Sequence, residues 1–316
     1  MTVILNDQDL GGRRIILTAI GAVEAFLLAR AQGKAIAPPR HHVSFARHGE
    51  LVFTIGGVSG EQPLAGFRVY DTFKGPEHTQ IVAVWSSNDA ELKGLVLGTV
   101  LGAIRTGAIG GVAIQHLSNP TAHDIGVLGS GLQARTQLAA ACAVRKLRTA
   151  RVYSRDVANR EVFAKTMQAE LGIDIRPVGT AQEAVRDADI VICATSSQSP
   201  VISAGDLKPG AHVNTVGPKT IAGHELGRDI AAIAGIIVTD SVEQTHAYSS
   251  PFFLSGSGHE ARMVELSDLV AKTVPGRISE QEISLFCSVG LAGTEVAVAA
   301  ALLDQHQAGS FCHRSL

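Results

Sequence analysis

One stretch constrains this chain more than any other: Asp124-Ile-Gly-Val-Leu-Gly-Ser-Gly-Leu-Gln-Ala-Arg135. It sets Gly129, Gly131 and Ala134 at the spacing of a dinucleotide-binding turn, with Ser130 and Gln133 inside it. In such a turn the first glycine lets the chain leave a strand sharply and the second leaves room for a pyrophosphate. The small third residue lets helix and strand pack closely. The helix that follows offers free N–H groups and its positive end to the phosphates. Glycine turns are common, so this one gains weight from its surroundings. Strand-like runs over 124–128, 150–154, 174–178, 189–194, 212–216 and 235–240 alternate with helix-like segments such as 158–171 and 180–187. That alternation predicts an α/β fold, a Rossmann-type doubly wound parallel sheet.

The first 120 residues read differently. An amphipathic helix over 12–31 precedes Ala37-Pro-Pro-Arg40, which its prolines hold extended. Strand-like runs over 51–55, 64–70, 80–85 and 92–97 follow without helices between them, as in an antiparallel or mixed sheet. A helix-like stretch over 100–117 leads to Ser118-Asn-Pro-Thr121, an expected hinge. The apolar helix over 293–303 is expected to return to the first domain. The Rossmann domain is therefore expected over 119–288, inserted into an α+β domain made of 1–118 and 289–316.

Composition narrows the partners. A net charge of −2 gives no reason to expect nucleic acid or an anionic membrane, and 4% aromatic residues supply few stacking platforms. No apolar run is long enough to span a membrane. The acidic start lacks the pattern of a secretion signal. Cys142, Cys193, Cys287 and Cys312 form no paired motif, so we expect reduced thiols in a cytoplasmic protein. The 12 histidines show no metal-ligand spacing, and no metal is expected; His41, His42 and His48 fall in loop-like sequence.

Several residues invite functional readings. Ser154 stands where an NAD site usually carries a ribose-binding acid, and Arg155 follows it. A hydroxyl and a guanidinium suit a 2′-phosphate, so NADP(H) is preferred; Asp156 nearby keeps NAD(H) open. Ser196-Ser197 after the fourth strand of the alternating region reads as a polar turn beside the cofactor, where Thr195 and Ser196 are expected to bind it. Arg105-Thr106 is read as opening a helix, where a guanidinium, a hydroxyl and backbone N–H groups could meet an anion. Lys219 lies just past the fifth strand, where open α/β sheets bind ligands. Arg40 and Arg68, taken singly, read as surface residues.

Taken together, Pro38-Pro-Arg40, Gly66-Phe-Arg68, Arg105-Thr-Gly-Ala108, Gly129–Ala134, 189–196, Asn214-Thr-Val-Gly217, His224-Glu-Leu226 and Phe286-Cys-Ser-Val-Gly-Leu-Ala292 resemble the ornithine cyclodeaminase/μ-crystallin family. The resemblance implies a homodimer whose first domain builds the dimer sheet and substrate floor, and a cleft holding the nicotinamide. It implies that Arg40 and Arg105 hold a substrate carboxylate, that Thr106 meets the cofactor phosphates, and that Val289 and Gly290 lie near the nicotinamide. Two departures stand out. Arg68 replaces a common lysine, and Pro218-Lys219 replaces a segment carrying an aspartate in amino-acid-processing members. A lysine there repels an ammonium rather than pairing with it, and an arginine does not readily give up a proton. The resulting cationic cleft suits a small anionic imino, keto or amino acid, dicarboxylates included.

The expected function is therefore NAD(P)-dependent reduction of a small imino or keto acid. Arg68 orients the reacting centre and Lys219 donates the proton. The alternatives are an ornithine cyclodeaminase-type lyase with tightly bound NAD, and a non-catalytic NADPH or small-ligand binding protein of μ-crystallin type.

Overall fold

The computed structural model describes residues 2–76 and 78–309, which leaves Cys312 outside the described residues. It divides into two compact units: residues up to 105 with those from 291 onward, and residues 106–290.

The first unit begins with β1 (Val3–Leu5) and α1 (Arg13–Ala31) and continues through β2 (Ala35–Ile36), β3 (His41–Ser44), β4 (Glu50–Val58), β5 (Leu64–Asp71), β6 (Gln80–Ser86) and β7 (Leu92–Gly98). Its sheet runs β1-β7-β6-β5-β4-β2, with β3 also on β4. β1 is parallel to β7 and the other pairs are antiparallel, so the sheet is mixed. β1, β2 and β3 were not expected. His41 and His42 thus lie in a strand rather than a loop, and His42 Nδ1 stands 2.8 Å from the Glu50 carboxylate. α2 (Val100–Leu117) follows, its first amides taken by the Asp7 carboxylate, which accepts from the N–H groups of Thr99 and Val100.

The second unit holds β8 (Asp124–Leu128), α3 (Leu132–Val144), β9 (Thr149–Tyr153), α4 (Val157–Leu171), β10 (Asp174–Pro177), α5 (Ala181–Val185), β11 (Ile190–Cys193) and β12 (His212–Thr215). A short ribbon of β13 (Lys219–Thr220) and β14 (Gly223–His224) precedes α6 (Arg228–Ile233), β15 (Ile236–Thr239), α7 (Val242–His246), β16 (Met263–Glu265), α8 (Leu266–Val270) and β17 (Ser284–Cys287). The large sheet is parallel throughout, in the order β10-β9-β8-β11-β12-β17-β15-β16. Alternate residues of β11 feed two cores. Ile190 and Ile192 pack with Leu138 and Phe163, while Val191 and Cys193 pack with Ala184 and Ile230. Burial on both faces is what the uninterrupted apolar runs require. The doubly wound expectation holds, with β16 and β17 added.

The Ser118–Thr121 turn is not the unit boundary. It lies inside the second unit, where Arg145 donates to the carbonyls of Ile114, Gln115, Ser118 and Asn119 and to Ser118 Oγ. The division falls instead within α2, after Arg105, and again after Gly290. Helix α2 is fixed from within the second unit by a buried polar chain. Asn214 Nδ2 donates to Gly110 O, Gln137 Nε2 donates to Thr106 O, and the His212 ring bridges Asn214 Oδ1 and Ser284 Oγ. Burial drives the His212 pKa down to about 3, so the ring is neutral. Because both Asn214 bonds to acceptors use its amide nitrogen, its oxygen faces the ring, and Nε2 carries the proton.

The chain finally returns to the first unit as α9 (Thr294–Gln307). Gly56, Gly66, Val84 and Gly94 are successive cross-strand partners in β4, β5, β6 and β7. The glycines open a groove across the sheet for this helix. A Cβ on Gly66 would stand 3.0 Å from Val296 and one on Gly94 2.5 Å from Leu303, while one on Gly56 would meet Gly293 at 2.3 Å. Gly66→Ala, whose Cβ would also stand 2.3 Å from the Ala83 carbonyl, should destabilise the protein by about 1–3 kcal/mol. Gly21→Ala, in open space on α1, should instead gain about 0.5–1 kcal/mol. Denaturation midpoints of the two variants check this, and equal midpoints would remove the groove argument.

Candidate active site

At the switch point of the parallel sheet, β8 pairs with β9 on one side and β11 on the other. Ligands of open α/β sheets bind beyond the carboxyl ends of strands at such a point. A cavity of about 960 Å³ opens there, lined by residues 128–133, 153–156, 159, 194–197 and 201. Gly129, Ser130, Gly131, Gln133, Ser154, Arg155, Thr195 and Ser196, all expected at the cofactor, line it.

The local geometry fits a dinucleotide. Gly129 has φ +110°, and a Cβ there would stand 2.2 Å from the Ala194 carbonyl, so only glycine turns the chain out of β8. Gly131 is the N-cap of α3 with no side-chain cap, and a Cβ there would meet nothing within 4 Å. Backbone N–H groups at that helix start are therefore available to a phosphate. Gln133 Oε1 is buried without a hydrogen-bond partner, a polar atom on the cavity wall that a bound group can satisfy. Ala134 is fully buried in the core beneath, in the packing role expected of it. Ser154 follows β9 directly and donates to Asp156 O, while the Asp156 carboxylate caps α4 by accepting from Asn159 N–H.

Two buried carboxylates that the sequence reading did not single out hold the strand ends. Glu225 Oε2 accepts from Thr195 N–H and Oγ1–H, and its Oε1 accepts from Thr215 Oγ1–H and the amides of Val216 and Gly217. The loops after β11 and β12 are thus tied to one side chain. Asp240, at the end of β15, accepts from Val289 N–H at 2.7 Å and Gly290 N–H at 2.8 Å, fixing the segment expected near the nicotinamide. Glu225 sat within a quoted motif, and Asp240 closes a predicted strand; an acid in either place was the available signal. Lys219 is buried in β13 and donates from Nζ to the carbonyls of Val216 and Gly217.

The first unit carries a second constellation. Arg105 and Thr106 do not open a helix; they are the sixth and seventh residues of α2, so their amides are spent within it and cannot serve an anion. The Arg105 side chain remains, buried on Glu295 of α9. Arg68 of β5 is likewise buried, not a surface residue. It donates from Nη1 to Glu295 Oε1 at 2.9 Å and from Nε to Gln80 Oε1 at 2.9 Å, and its guanidinium lies 4.2 Å from the Tyr70 ring centre. Arg40, half-buried just before β3, acts on the same carboxylate electrostatically. Burial alone would raise the Glu295 pKa, but Arg105, then Arg68 and Arg40, outweigh it, and the carboxyl is held below its ordinary value. Glu295 was missed, although an acid set in the largely apolar stretch 289–303 is a recognisable sign of a buried pair.

Thr106, Val289 and Gly290 do not line the cofactor cavity. Among the described residues, His123, Asp124 and Asp189 bring possible metal-ligand atoms within 4.8 Å of one another. Asp189 there already receives the amides of His123 and Asp124 and the Lys208 ammonium. No helix of the described residues is long and apolar enough to cross a membrane.

A parallel sheet with a glycine cradle at its switch point defines a Rossmann-type dinucleotide-binding protein, here joined to a mixed-sheet unit. The chain belongs to the ornithine cyclodeaminase/mu-crystallin family, whose model matches residues 1–310, and is an NAD(P)-dependent oxidoreductase of that family. It is 31% identical over 296 residues to a putative dehydrogenase of Rhizobium meliloti, covering 89% of this chain and 88% of the relative. A solved Δ1-pyrroline-2-carboxylate reductase of Thermococcus litoralis, in complex with NADH and L-proline, superposes with a TM-score of 0.84 at 29% identity over 98% of both chains. An archaeal alanine dehydrogenase dimer with bound NAD gives 0.85 at 25% identity, covering 98% of this chain and 97% of that one.

Gly131→Asp separates helix stability from ligand binding. Aspartate is a better N-cap than glycine by a few tenths of a kcal/mol, so the melting temperature should hold or rise. Its charge would face the phosphates, and affinity for NADPH, read by nucleotide fluorescence, should fall at least tenfold, about 1.4 kcal/mol. Unchanged affinity would move the pyrophosphate away from α3.

Proposed function

We propose that this protein reduces a small cyclic or acyclic imino acid, with C=N becoming CH–NH, and prefers NADP(H). The observation that carries the reading is the buried arginine cluster. Buried Arg68 and Arg105 bond one internal carboxylate and half-buried Arg40 acts on it electrostatically, an array of guanidinium donors whose geometry suits carboxylates. In this reading Arg40 and Arg105 hold the substrate carboxylate. The nicotinamide, when bound, supplies the hydride for the imine carbon.

The chain's own groups do the rest. Arg68, fixed by Glu295, Gln80 and Tyr70, is a stationary cation that orients the reacting centre electrostatically. Lys219 donates the proton to the nitrogen; a lysine in that place disfavours an ammonium substrate and therefore a cyclodeaminase reaction. Outside the dinucleotide cavity, the family resemblance supports Thr106 as a contact of the cofactor phosphates and Val289 and Gly290 as neighbours of the nicotinamide. Ser154 and exposed Arg155 at the end of β9 offer a hydroxyl and a guanidinium to a 2′-phosphate, and Asp156 is occupied by its helix cap. NADH-linked relatives make NAD(H) the competing cofactor.

The homodimer is part of the same proposal. The sheet face turned away from α9 carries Phe53, Ile55, Phe67, Val69, Ile81, Trp85, Leu95 and Leu97, with Ile55 54% and Ile81 42% exposed. A continuous apolar face of that kind is an association surface. Ile55→Glu with Ile81→Glu should convert a dimer to a monomer in light scattering, and a monomeric parent chain would sink this reading.

Turnover is tested by NADPH and NADH oxidation with Δ1-pyrroline-2-carboxylate, Δ1-piperideine-2-carboxylate and pyruvate plus ammonia. Activity with at least one imine, and a preference for NADPH that Arg155→Ala reduces about tenfold, is expected. Lys219→Met should lower kcat by about 10²-fold or more with NADPH affinity unchanged. No imine turnover with either cofactor would overturn the proposal, and ammonia release from ornithine would replace it with the lyase.

A further inference from the structure

We propose that Gln137 is a positioning residue for the dinucleotide: acting through Thr106, it fixes the segment of α2 that meets the cofactor phosphates. This rests on the reading of Thr106 as a phosphate contact. Gln137 lies on α3, the helix that starts at the glycine cradle, about 8 Å along the axis from Leu132. It is fully buried. There α2 and α3 approach backbone to backbone. A Cβ on Gly107 would stand 2.7 Å from the Thr136 carbonyl oxygen, and one on Gly110 would collide with Gln137 Oε1. The crossing seats Thr106 beside the second turn of the cradle helix.

The hydrogen bonds across this crossing run one way. His212 Nε2–H donates to Asn214 Oδ1 at 2.7 Å, and Asn214 Nδ2 donates to Gly110 O at 3.1 Å and to Gln137 Oε1 at 3.3 Å. Gln137 Nε2 then donates to Thr106 O at 2.9 Å. Asn214 presents its amide nitrogen to Gln137, so the Gln137 amide has one orientation, with its NH2 on Thr106. Thr106 O lies inside α2 and already accepts a helical bond. The second bond, from Gln137, is not needed to satisfy that carbonyl; what it does is hold Thr106 in place. His212, Asn214 and Gln137 are each fully buried, so the links are made away from water, where they hold firmly.

The experiment is calorimetric titration of the parent, Thr106→Val, Gln137→Met and the double variant with NADP+ and with adenosine 2′-phosphate, a fragment without the pyrophosphate. Where the parent prefers NAD+, the pair is NAD+ and adenosine. Thr106→Val removes the hydroxyl but keeps the carbonyl that Gln137 holds; Gln137→Met keeps the length and removes the donor. Each single variant should weaken the dinucleotide about tenfold and leave the fragment within about twofold of the parent. The double variant should match Thr106→Val to within about twofold, because Gln137 acts through Thr106. Gln137→Asn, an amide too short to reach Thr106 O, should behave as Gln137→Met does and takes its place if the methionine variant does not fold. Equal loss of dinucleotide and fragment in Gln137→Met, or losses that multiply in the double variant, overturns the proposal and leaves Thr106 as a phosphate contact. So does an unchanged dinucleotide affinity in Gln137→Met. A Thr106→Val variant that binds the dinucleotide as the parent does overturns the Thr106 reading and this proposal together, and so does a parent that binds neither dinucleotide.

Discussion

The row of glycines across the first sheet is the constraint on which that unit depends. Gly56, Gly66 and Gly94 remove side chains along one line of cross-strand partners, and α9 settles into the space. Close approach brings Glu295 against Arg68, two residues along β5 from Gly66 and on the same face. A side chain at Gly56, Gly66 or Gly94 would hold the helix off, and the carboxylate would lose its arginines. The charged cluster is thus a product of backbone proximity. Its ions are buried where the helix lies against the sheet.

Buried carboxylates organise both units, but in two different ways. Glu225 and Asp240 are met by backbone amides and hydroxyls, with both oxygens engaged, and they hold loops still at the ends of parallel strands. Glu295 is met by guanidinium groups on one oxygen only. The first arrangement satisfies desolvated acceptors and fixes geometry. The second sets a local charge. Loop positions around the dinucleotide cavity and the electrostatics of the arginine cluster therefore have separate origins in the sequence.

Much of this was legible in the chain. Central parallel strands are buried on both faces, so their apolar runs stand out, and β8 to β12 fell within a residue or two of expectation. β16 and β17 escaped because no alternation with helix-like segments marks them in the sequence; their place follows from pairing with β15 and β12. The Ser118–Thr121 segment carries real turn chemistry, but turn chemistry reports a local bend and not where packing divides. Arg105 was wrongly seated at a helix start, because glycines after it suggested one that Asp7, far away in sequence, supplies at Thr99 and Val100. Glu295 was invisible as a partner for the same reason. Its arginines lie 227 and 190 residues earlier.

The apolar outer face of the first sheet has a consequence of another kind. A sheet with one face under a helix and the other apolar and open is half of a core. If its missing half is a second copy, the folding free energy acquires a term in the protein's own concentration. Such a chain is least secure when it is scarce, early in synthesis or after dilution. Abundance then becomes a structural variable, and the open face of β4, β5 and β6 is where it is read.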